Sequence, residues 1–368
     1  MNRGPRVVIA GLGDTGLLTA IQLARHADVV GIATKPGLVS GQELGLRLAR
    51  PHEWQRGYWI GFDRFRKLDR ARVIHGVVTG LNTDERVVQV RAADGSSHSE
   101  PYDVLVISTG VANGFWRTPV VQGDDEIAQD LDTAHRRLAD AGSVMVIGGG
   151  AAAVSTAWNV AATWPDKRVD LYFPGADALP HHHSRAWRTL RRRFETHGVG
   201  LHSGHRAIVP ESFRGDQITR GPVAWSTGQP ERSADAVIWA IGRVSPNTAW
   251  VPEELRDPDG FVIVDEYLRV SGATGVYAVG DVAATDPLRT SARARADRLL
   301  ARNIRADLGH GSAKRFTPLP RRWGSVVGVQ DNRLEVFSTS GGAWTIPAWE
   351  TLRPWLVNRA IYKGIRRR

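Results

Sequence analysis

Two stretches of the chain run apolar without alternation and then break at glycine. Arg6 to Ala10 holds Val-Val-Ile between its ends, and Val144 to Ile147 reads Val-Met-Val-Ile. A strand that is apolar on both faces belongs inside a parallel sheet covered on both sides. After each run comes a glycine-rich turn and then apolar residues at helical spacing. These are Leu17, Leu18, Ile21 and Leu23 in the first case and the segment Val154 to Ala162 in the second. A second apolar strand follows each helix, Asp28 to Ile32 and Arg168 to Phe173. Alternating strand and helix signals predict parallel α/β sheets, and the repeated order predicts an internal duplication of one βαβ unit.

The segments between fill in the outline. Residues 35–72 are irregular and rich in Gly, Arg and Trp, with a helix expected near Phe62 to Leu68. Val87 to Arg91 followed by Asp94-Gly95 predicts a hairpin strand and turn. Tyr102 to Ile107 is a buried strand ending in Ser108-Thr109-Gly110, and a helix is expected around Ile127 to Leu138. Ala236 to Ile241 is a strand ending at Gly242, and Val276 to Val279 one that stops at Gly280, just before Asp281. Ser291 to Leu308 has a helical pattern, and residues 310–368 form a Trp-rich, basic C-terminal element. The strands from Asp235 onward read as the closing part of the first unit. The expected division is therefore a discontinuous first domain, 1–112 and 236–309, with a second, 113–235, inserted into it, and a C-terminal region, 310–368.

Composition narrows the chemistry. Hydrophobic residues make up 42% and charged residues 23% of 368, the balance of a globular protein. No apolar run approaches the roughly 18 residues of a spanning helix. The N-terminus enters its strand at once, so no signal peptide is expected and the reading is cytoplasmic. Cysteine is absent, which excludes a disulfide framework, thiolate zinc sites and any redox-active dithiol. A formal net charge of +10 points to an anionic partner, or to arginines scattered over a solvated surface.

The two turns carry the strongest chemical signal. Gly11-x-Gly13-x-x-Gly16 sits between a strand and a helix, where the first glycine allows the tight turn. The second lets backbone N–H groups approach a diphosphate at the helix N-terminus, and the third lets helix and strand pack closely. Gly148-Gly-Gly150-Ala-Ala-Ala153 repeats the pattern, with Ala153 as the third small residue. No carboxylate ends the strand after the first turn. Thr34 and Lys35 stand there, able to meet a ribose hydroxyl and a phosphate. The strand after the second turn, Val169 to Pro174, also lacks a terminal acid that would repel a 2'-phosphate. Arg185 and the His181–His183 triplet just beyond it could supply positive charge, so NADPH is favoured over NADH. The triplet also reads as an exposed basic loop, and consecutive His side chains converge poorly on a metal.

In this order, with Ala236–Gly242 and Val276–Asp281, these motifs resemble the two-dinucleotide-binding-domain flavoproteins, the pyridine nucleotide-disulfide oxidoreductase superfamily. The resemblance covers roughly residues 5–310. It is nearest the cysteine-free branch of ferroptosis-suppressor-like, apoptosis-inducing-factor-like and type II NADH dehydrogenase proteins. It implies FAD held by Gly11, Gly13, Gly16, Gly280 and Asp281, the last on the ribityl chain, with the Val78 backbone near the adenine. It implies a nicotinamide nucleotide on Gly148, Gly150, Ala153 and Arg185, and domain links at Thr109, Gly110 and Gly242. Two acids of the pattern are missing, at the positions of Thr34 and Ser155, and Arg293 and Arg295 stand where relatives carry Gln beside the flavin. No catalytic side chain is assigned, because hydride transfer between stacked rings needs alignment and exclusion of water rather than a protein acid. The implied function is hydride transfer from NAD(P)H to FAD and electron transfer to a quinone. The alternatives are reduction of a ferredoxin-like carrier and a low-turnover, redox-sensing nucleotide-binding protein.

The last segment, Trp349 to Arg368, predicts a helix begun at Pro354. Val357, Ile361 and Ile365 recur every fourth residue, Arg359, Lys363 and Arg366 gather on another arc, and Trp355 and Tyr362 suit a headgroup boundary. Such a helix can lie on an anionic membrane, gaining about 1 kcal/mol per basic residue at the surface, or it can pack on the protein body. No nucleic-acid recognition module is visible.

Overall fold

A computed structural model describes residues 4–39, 44–112, 118–211, 213, 218–242, 244–290, 292 and 294–366. The chain opens with β1 (Arg6–Ala10), α1 (Asp14–Leu23) and β2 (Asp28–Ala33). Short strands β3 (Gly37–Val39) and β4 (Trp59–Gly61) bracket α2 (Leu44–Ala49) and α3 (Pro51–Tyr58). The helix expected near Phe62 to Leu68 is two single 3₁₀ turns, Phe62–Arg64 and Arg66–Leu68. An antiparallel ribbon follows, β5 (Ala71–Asn82), β6 (Val87–Ala92) and β7 (Ser97–Pro101), and β8 (Val104–Ile107) returns beside β1.

After β9 (Val111–Ala112) and α4 (Asp124–Asp140) the order repeats. The second unit holds β10 (Ser143–Ile147), α5 (Ala151–Thr163), β11 (Arg168–Tyr172), α6 (Ser184–Thr196) and β12 (Gly200–His202). It closes with β13 (Ile218–Val223) and β14 (Arg232–Trp239). Then come β15 (Ser245–Pro246), β16 (Val276–Ala278) and α7 (Ala296–Asp307). Last are β17 (Val329–Gln330), β18 (Arg333–Phe337), β19 (Ala343–Ile346), α8 (Trp349–Arg353) and a wide π-helical stretch, Pro354–Ile361.

Seven strands make the first sheet, in the order β16-β8-β1-β2-β5-β6-β7, and five make the second, β12-β11-β10-β14-β13. The unbroken apolar runs do what their pattern requires. Val7 and Ile9 face α1 and α7, while Val8 and Ala10 face the opposite core. In β10, Val144 and Val146 meet α5 and α6, and Met145 and Ile147 meet Trp225 and Trp239. Both sheets are thus buried on both faces, the condition for parallel pairing.

One boundary moves. The strand Ala236–Trp239, expected to reopen the first domain, pairs in parallel with Val144–Ile147 and belongs to the second sheet. An apolar run states that a strand is buried, not which sheet buries it. The return crossing comes later, at β15, which lies antiparallel to β9 on the outward crossing. Gly242 rather than residue 236 therefore precedes the return.

The C-terminal region is tied to both units. Val326, Val327 and Phe337 join the core against α5 and α6. Buried Asn159 of α5 donates to the Val327 carbonyl at 2.9 Å and accepts from Arg50 at 2.7 Å. Arg193 grips Glu335 through two bonds of 2.7 and 2.9 Å. The tail then returns to the first unit, where Val357 and Ile365 pack beside Phe65 and Leu68. Ile361, expected on the same arc, is exposed, and Tyr362, expected at a headgroup boundary, is buried.

Candidate functional site: two glycine turns at helix N-termini

The three glycines of the first turn are required for different reasons. Gly11 has φ +100°, and a Cβ there would run into the Ser108 and Thr109 backbone of the neighbouring strand end. A Cβ on Gly16 would strike the Gly11 carbonyl and the Ser108 hydroxyl. Gly13 differs: nothing lies within 4 Å of where its Cβ would be. Packing explains the outer two glycines, and the middle one is explained by something that approaches from outside. Gly13 is also the N-cap of α1, and no side chain caps it. The first N–H groups of the helix point outward with the positive end of its dipole.

The second turn repeats this geometry. Gly148 has φ +138° and sits against the Ala240 backbone, whereas the space around Gly150, the uncapped N-cap of α5, is open. Ala153 is fully buried, its methyl lying 3.3 Å from where a Gly148 Cβ would be. Gly110 (φ +66°) and Gly242 (φ +72°) also border open space at the two crossings. Thr109 fastens those crossings: its hydroxyl donates to the Asn247 carbonyl at 2.8 Å, and the Asn247 amide donates back at 3.0 Å. Gly280 (φ +88°) turns the chain beside Thr15 at the start of α1, so half-buried Asp281 emerges next to the first glycine turn. The cradles, the outward N–H groups and this carboxylate fit two phosphate-linked nucleotides.

Lys35 and the His181–His183 triplet lie elsewhere than expected. Lys35 does not reach toward phosphate. It is 8% exposed, donates to the Val120 carbonyl at 2.5 Å, and burial drives its pKa down to about 8 against the pull of Asp130 and Glu126. The segment carrying Val120 and Gln122 lies along the end of β2: Gln122 N–H donates to the Thr34 carbonyl at 2.9 Å, and His75 Nε2 is 3.1 Å from the Gln122 carbonyl. Val78 is buried in the β5–β6 ribbon opposite Val90.

The His181–His183 triplet faces the C-terminal region. Arg322 N–H donates to the His181 carbonyl at 2.8 Å, and the His183 ring packs against Gly341. Arg185 is exposed at the start of α6. The end of β11 is bordered instead by His202 to His205, whose backbone bonds to both sides of Phe173 at 3.0 Å. His202 stacks on Tyr172 with centroids 4.2 Å apart and meets Asp170 at 2.7 Å. The sequence pattern singled out nothing in this segment.

Ser155, at the position of the missing Glu, is buried where α2 and α5 approach closely enough that a Cβ on Gly45 would collide with the Ser155 carbonyl. Arg295 is the left-handed N-cap of α7, φ 58°, and Arg293 lies outside the described residues.

A family model described as pyridine nucleotide-disulphide oxidoreductase matches residues 5–297. Oxidoreductase ptaL of Pestalotiopsis fici is 27% identical over 68% of this chain and 64% of its own length. Oxidoreductase OXR1 of Ajellomyces capsulatus is matched over only 50% of its length. The chain thus spans less than two thirds of these two fungal relatives. Ferroptosis suppressor protein 1 of Xenopus tropicalis is 27% identical over 85% of this chain and 83% of that protein. Among solved structures, the ferredoxin reductase for the CYP199A2 system of Rhodopseudomonas palustris superposes with TM-score 0.67. It is 17% identical and covers 99% of this chain and 96% of its own, a likeness of fold. The chain belongs to the pyridine nucleotide-disulphide oxidoreductase family, which binds FAD and uses NAD(P)H.

Proposed function

We propose that the chain is an FAD-dependent NAD(P)H oxidoreductase that delivers electrons to a quinone at an anionic membrane surface. The observation that carries this reading is the pair of uncapped, glycine-lined helix N-termini in a chain without cysteine. Bound FAD would supply two-electron chemistry, taking a hydride from the nicotinamide and, with one proton from solvent, reducing a quinone to its quinol. The chain's own part is binding and alignment. Gly11, Gly13 and Gly16 let the α1 N-terminus meet the flavin nucleotide's diphosphate, and Asp281 accepts hydrogen bonds from the ribityl hydroxyls. Thr34 and the Val78 backbone border the adenosine end. Gly148, Gly150 and Ala153 play the matching role for NAD(P)H at α5, with Arg185 as a nearby cation. Thr109, Gly110 and Gly242 hold the two units in register at their crossings.

The missing cysteines sharpen the second half-reaction. With no dithiol to relay electrons, the acceptor must come to the flavin itself. Similarity to ferroptosis suppressor protein 1 and to an NADH dehydrogenase-like protein of Mycobacterium tuberculosis supports a small diffusible acceptor of the quinone kind. No helix among the described residues is long and apolar enough to cross a membrane. The membrane part of the reading rests on exposed apolar side chains of the C-terminal region, Trp344, Leu352, Trp355 and Ile361, Trp355 at 59%, with Arg353 and Arg359 in the same stretch of sequence. A protein carrier of the ferredoxin type is the second reading, favoured by the net charge of +10, which would attract an acidic partner.

Anaerobic titration of the purified protein with NADH and NADPH tests the first half-reaction: flavin absorbance should bleach, and NADPH should act at lower concentration. A protein with no yellow colour, or a flavin that neither nucleotide bleaches, ends the enzyme reading in favour of a sensing role. Trp355→Glu with Ile361→Glu should abolish sedimentation with anionic vesicles and slow reduction of a long-chain quinone while sparing a water-soluble one. Unchanged binding to vesicles would remove the membrane from the proposal.

A further inference from the structure

The C-terminal tail reaches back to the first glycine turn. Tyr362 is 8% exposed, its ring is edge-on to Phe65 with centroids 5.3 Å apart, and its hydroxyl donates to Asp14 Oδ1 at 3.3 Å. Its neighbours hold the same course. Lys363 donates to Gln22 of α1 at 2.6 Å, Ile365 bridges to Phe65, and Arg366 bonds the Asp63 carbonyl at 2.6 Å and the Asp69 carboxylate at 2.5 Å. Asp14 is the first residue of α1, directly after the open glycine Gly13. A carboxylate there is a problem for the proposed ligand. It sits at a helix N-terminus that favours anions, beside a cradle meant for a diphosphate, and two anions close together repel.

We infer that Tyr362 is a positioning residue for the flavin nucleotide: its phenol holds the Asp14 carboxylate off the Gly13 cradle, so that diphosphate and carboxylate do not compete for the α1 N-terminus. The inference rests on the reading of the first turn as the FAD site. Burial and the Asp14 charge both push the Tyr362 pKa well above its ordinary value, so the phenol stays a neutral donor at working pH. Tail docking and flavin binding are then linked, since each secures the other's side of α1.

The test measures the FAD dissociation constant of the full chain at low salt, for wild type, Tyr362→Phe, Asp14→Asn and the double variant, with melting curves to verify folding. Phe keeps the ring against Phe65 and removes only the donor. Tyr362→Phe should weaken FAD about tenfold, the scale of a hydrogen bond to a charged group. The double variant should bind nearly as well as wild type, because a neutral amide does not repel the diphosphate. The single variant's defect should also shrink as salt rises. A Tyr362→Phe protein that binds FAD like wild type would overturn the inference and leave the oxidoreductase reading standing. A defect that Asp14→Asn does not rescue would show that Tyr362 serves tail packing alone, and would overturn it too. A wild-type chain that takes up no FAD would remove both this inference and the reading beneath it.

Discussion

The two βαβ units share a glycine turn and a helix, yet their surroundings differ. Around the first turn, distant parts of the chain have closed in. The tail reaches Asp14, the Val120–Gln122 segment lies along the end of β2, and Gly280–Asp281 stands beside Thr15. Around the second turn the C-terminal sheet and α2 seal the faces of α5, and the rim comes from the same unit: the loop His202 to His205 at the end of β11, and Leu179, whose N–H donates to the Gly149 carbonyl at 2.6 Å. A site closed over by distant parts of the chain suits a nucleotide that stays bound, and one rimmed by its own unit suits a nucleotide that must arrive and leave each cycle. Under the proposed function, one local motif serves residence in one place and exchange in the other.

The sharpest way to break that comparison is to block each turn. Gly11→Ala and Gly148→Ala both force a side chain into a left-handed backbone and against a neighbouring strand end. Each should cost on the order of 3 kcal/mol or more of local stability. Gly11→Ala should yield colourless protein. Gly148→Ala should stay yellow but no longer bleach with NAD(P)H, as absorbance spectra would reveal. If both variants lose flavin alike, the units do not divide the work as described.

Next in size is the bracing of α5. Asn159→Leu removes the buried amide that joins the Val327 carbonyl to the Arg50 guanidinium, which keep Gln330 and Val329 as partners, at a cost of about 1–2 kcal/mol. Thermal melting should fall, and proteolysis should release the C-terminal region first.

Lys35 gives a pH-dependent case of intermediate size. Folded, it loses its proton near pH 8; its ordinary value is 10.5. Between those values the unfolded chain binds more protons, so stability rises as pH increases from about 8 to 10.5 and carries the full burial penalty below pH 8. Lys35→Met removes that penalty and should raise the melting temperature most at neutral pH, by an amount worth roughly 1–2 kcal/mol after allowance for solvent screening. The advantage over wild type should fade toward pH 10. A constant gap would mean that Lys35 is not the titrating group.

The smallest effect belongs to the open rim. His205→Ala should weaken NADPH about three- to fivefold with NADH little changed, the size of one hydrogen bond at the rim. Equal loss for both nucleotides would remove the rim from cofactor choice.

Much of this was legible in the chain, for reasons specific to each element. Val7 to Ile9 and Val144 to Ile147 could only be strands covered on both faces, and the glycines after them only a turn that opens a helix. The strand Ala236–Trp239 was readable as a strand but not as a member of the second sheet, because its hydrophobicity suits either. The tail's every-fourth-residue pattern was read as one apolar arc, for a membrane or for the protein body, yet across the π-helical stretch after Pro354 Tyr362 turns inward and Ile361 stays outside.

By itself, then, the sequence determined the class of fold, the two glycine-rich strand-to-helix turns and the exclusion of dithiol chemistry, all consequences of residue type over a dozen positions or fewer. Tertiary structure alone decided that Lys35 is spent on Val120, that the His181–His183 triplet faces the C-terminal region, and that Tyr362 meets Asp14 across 348 positions. Those outcomes depend on which distant backbone arrives beside a given side chain. Local pattern carries no record of that, since burial and charge are settled only when the sheets and the returning tail close around them.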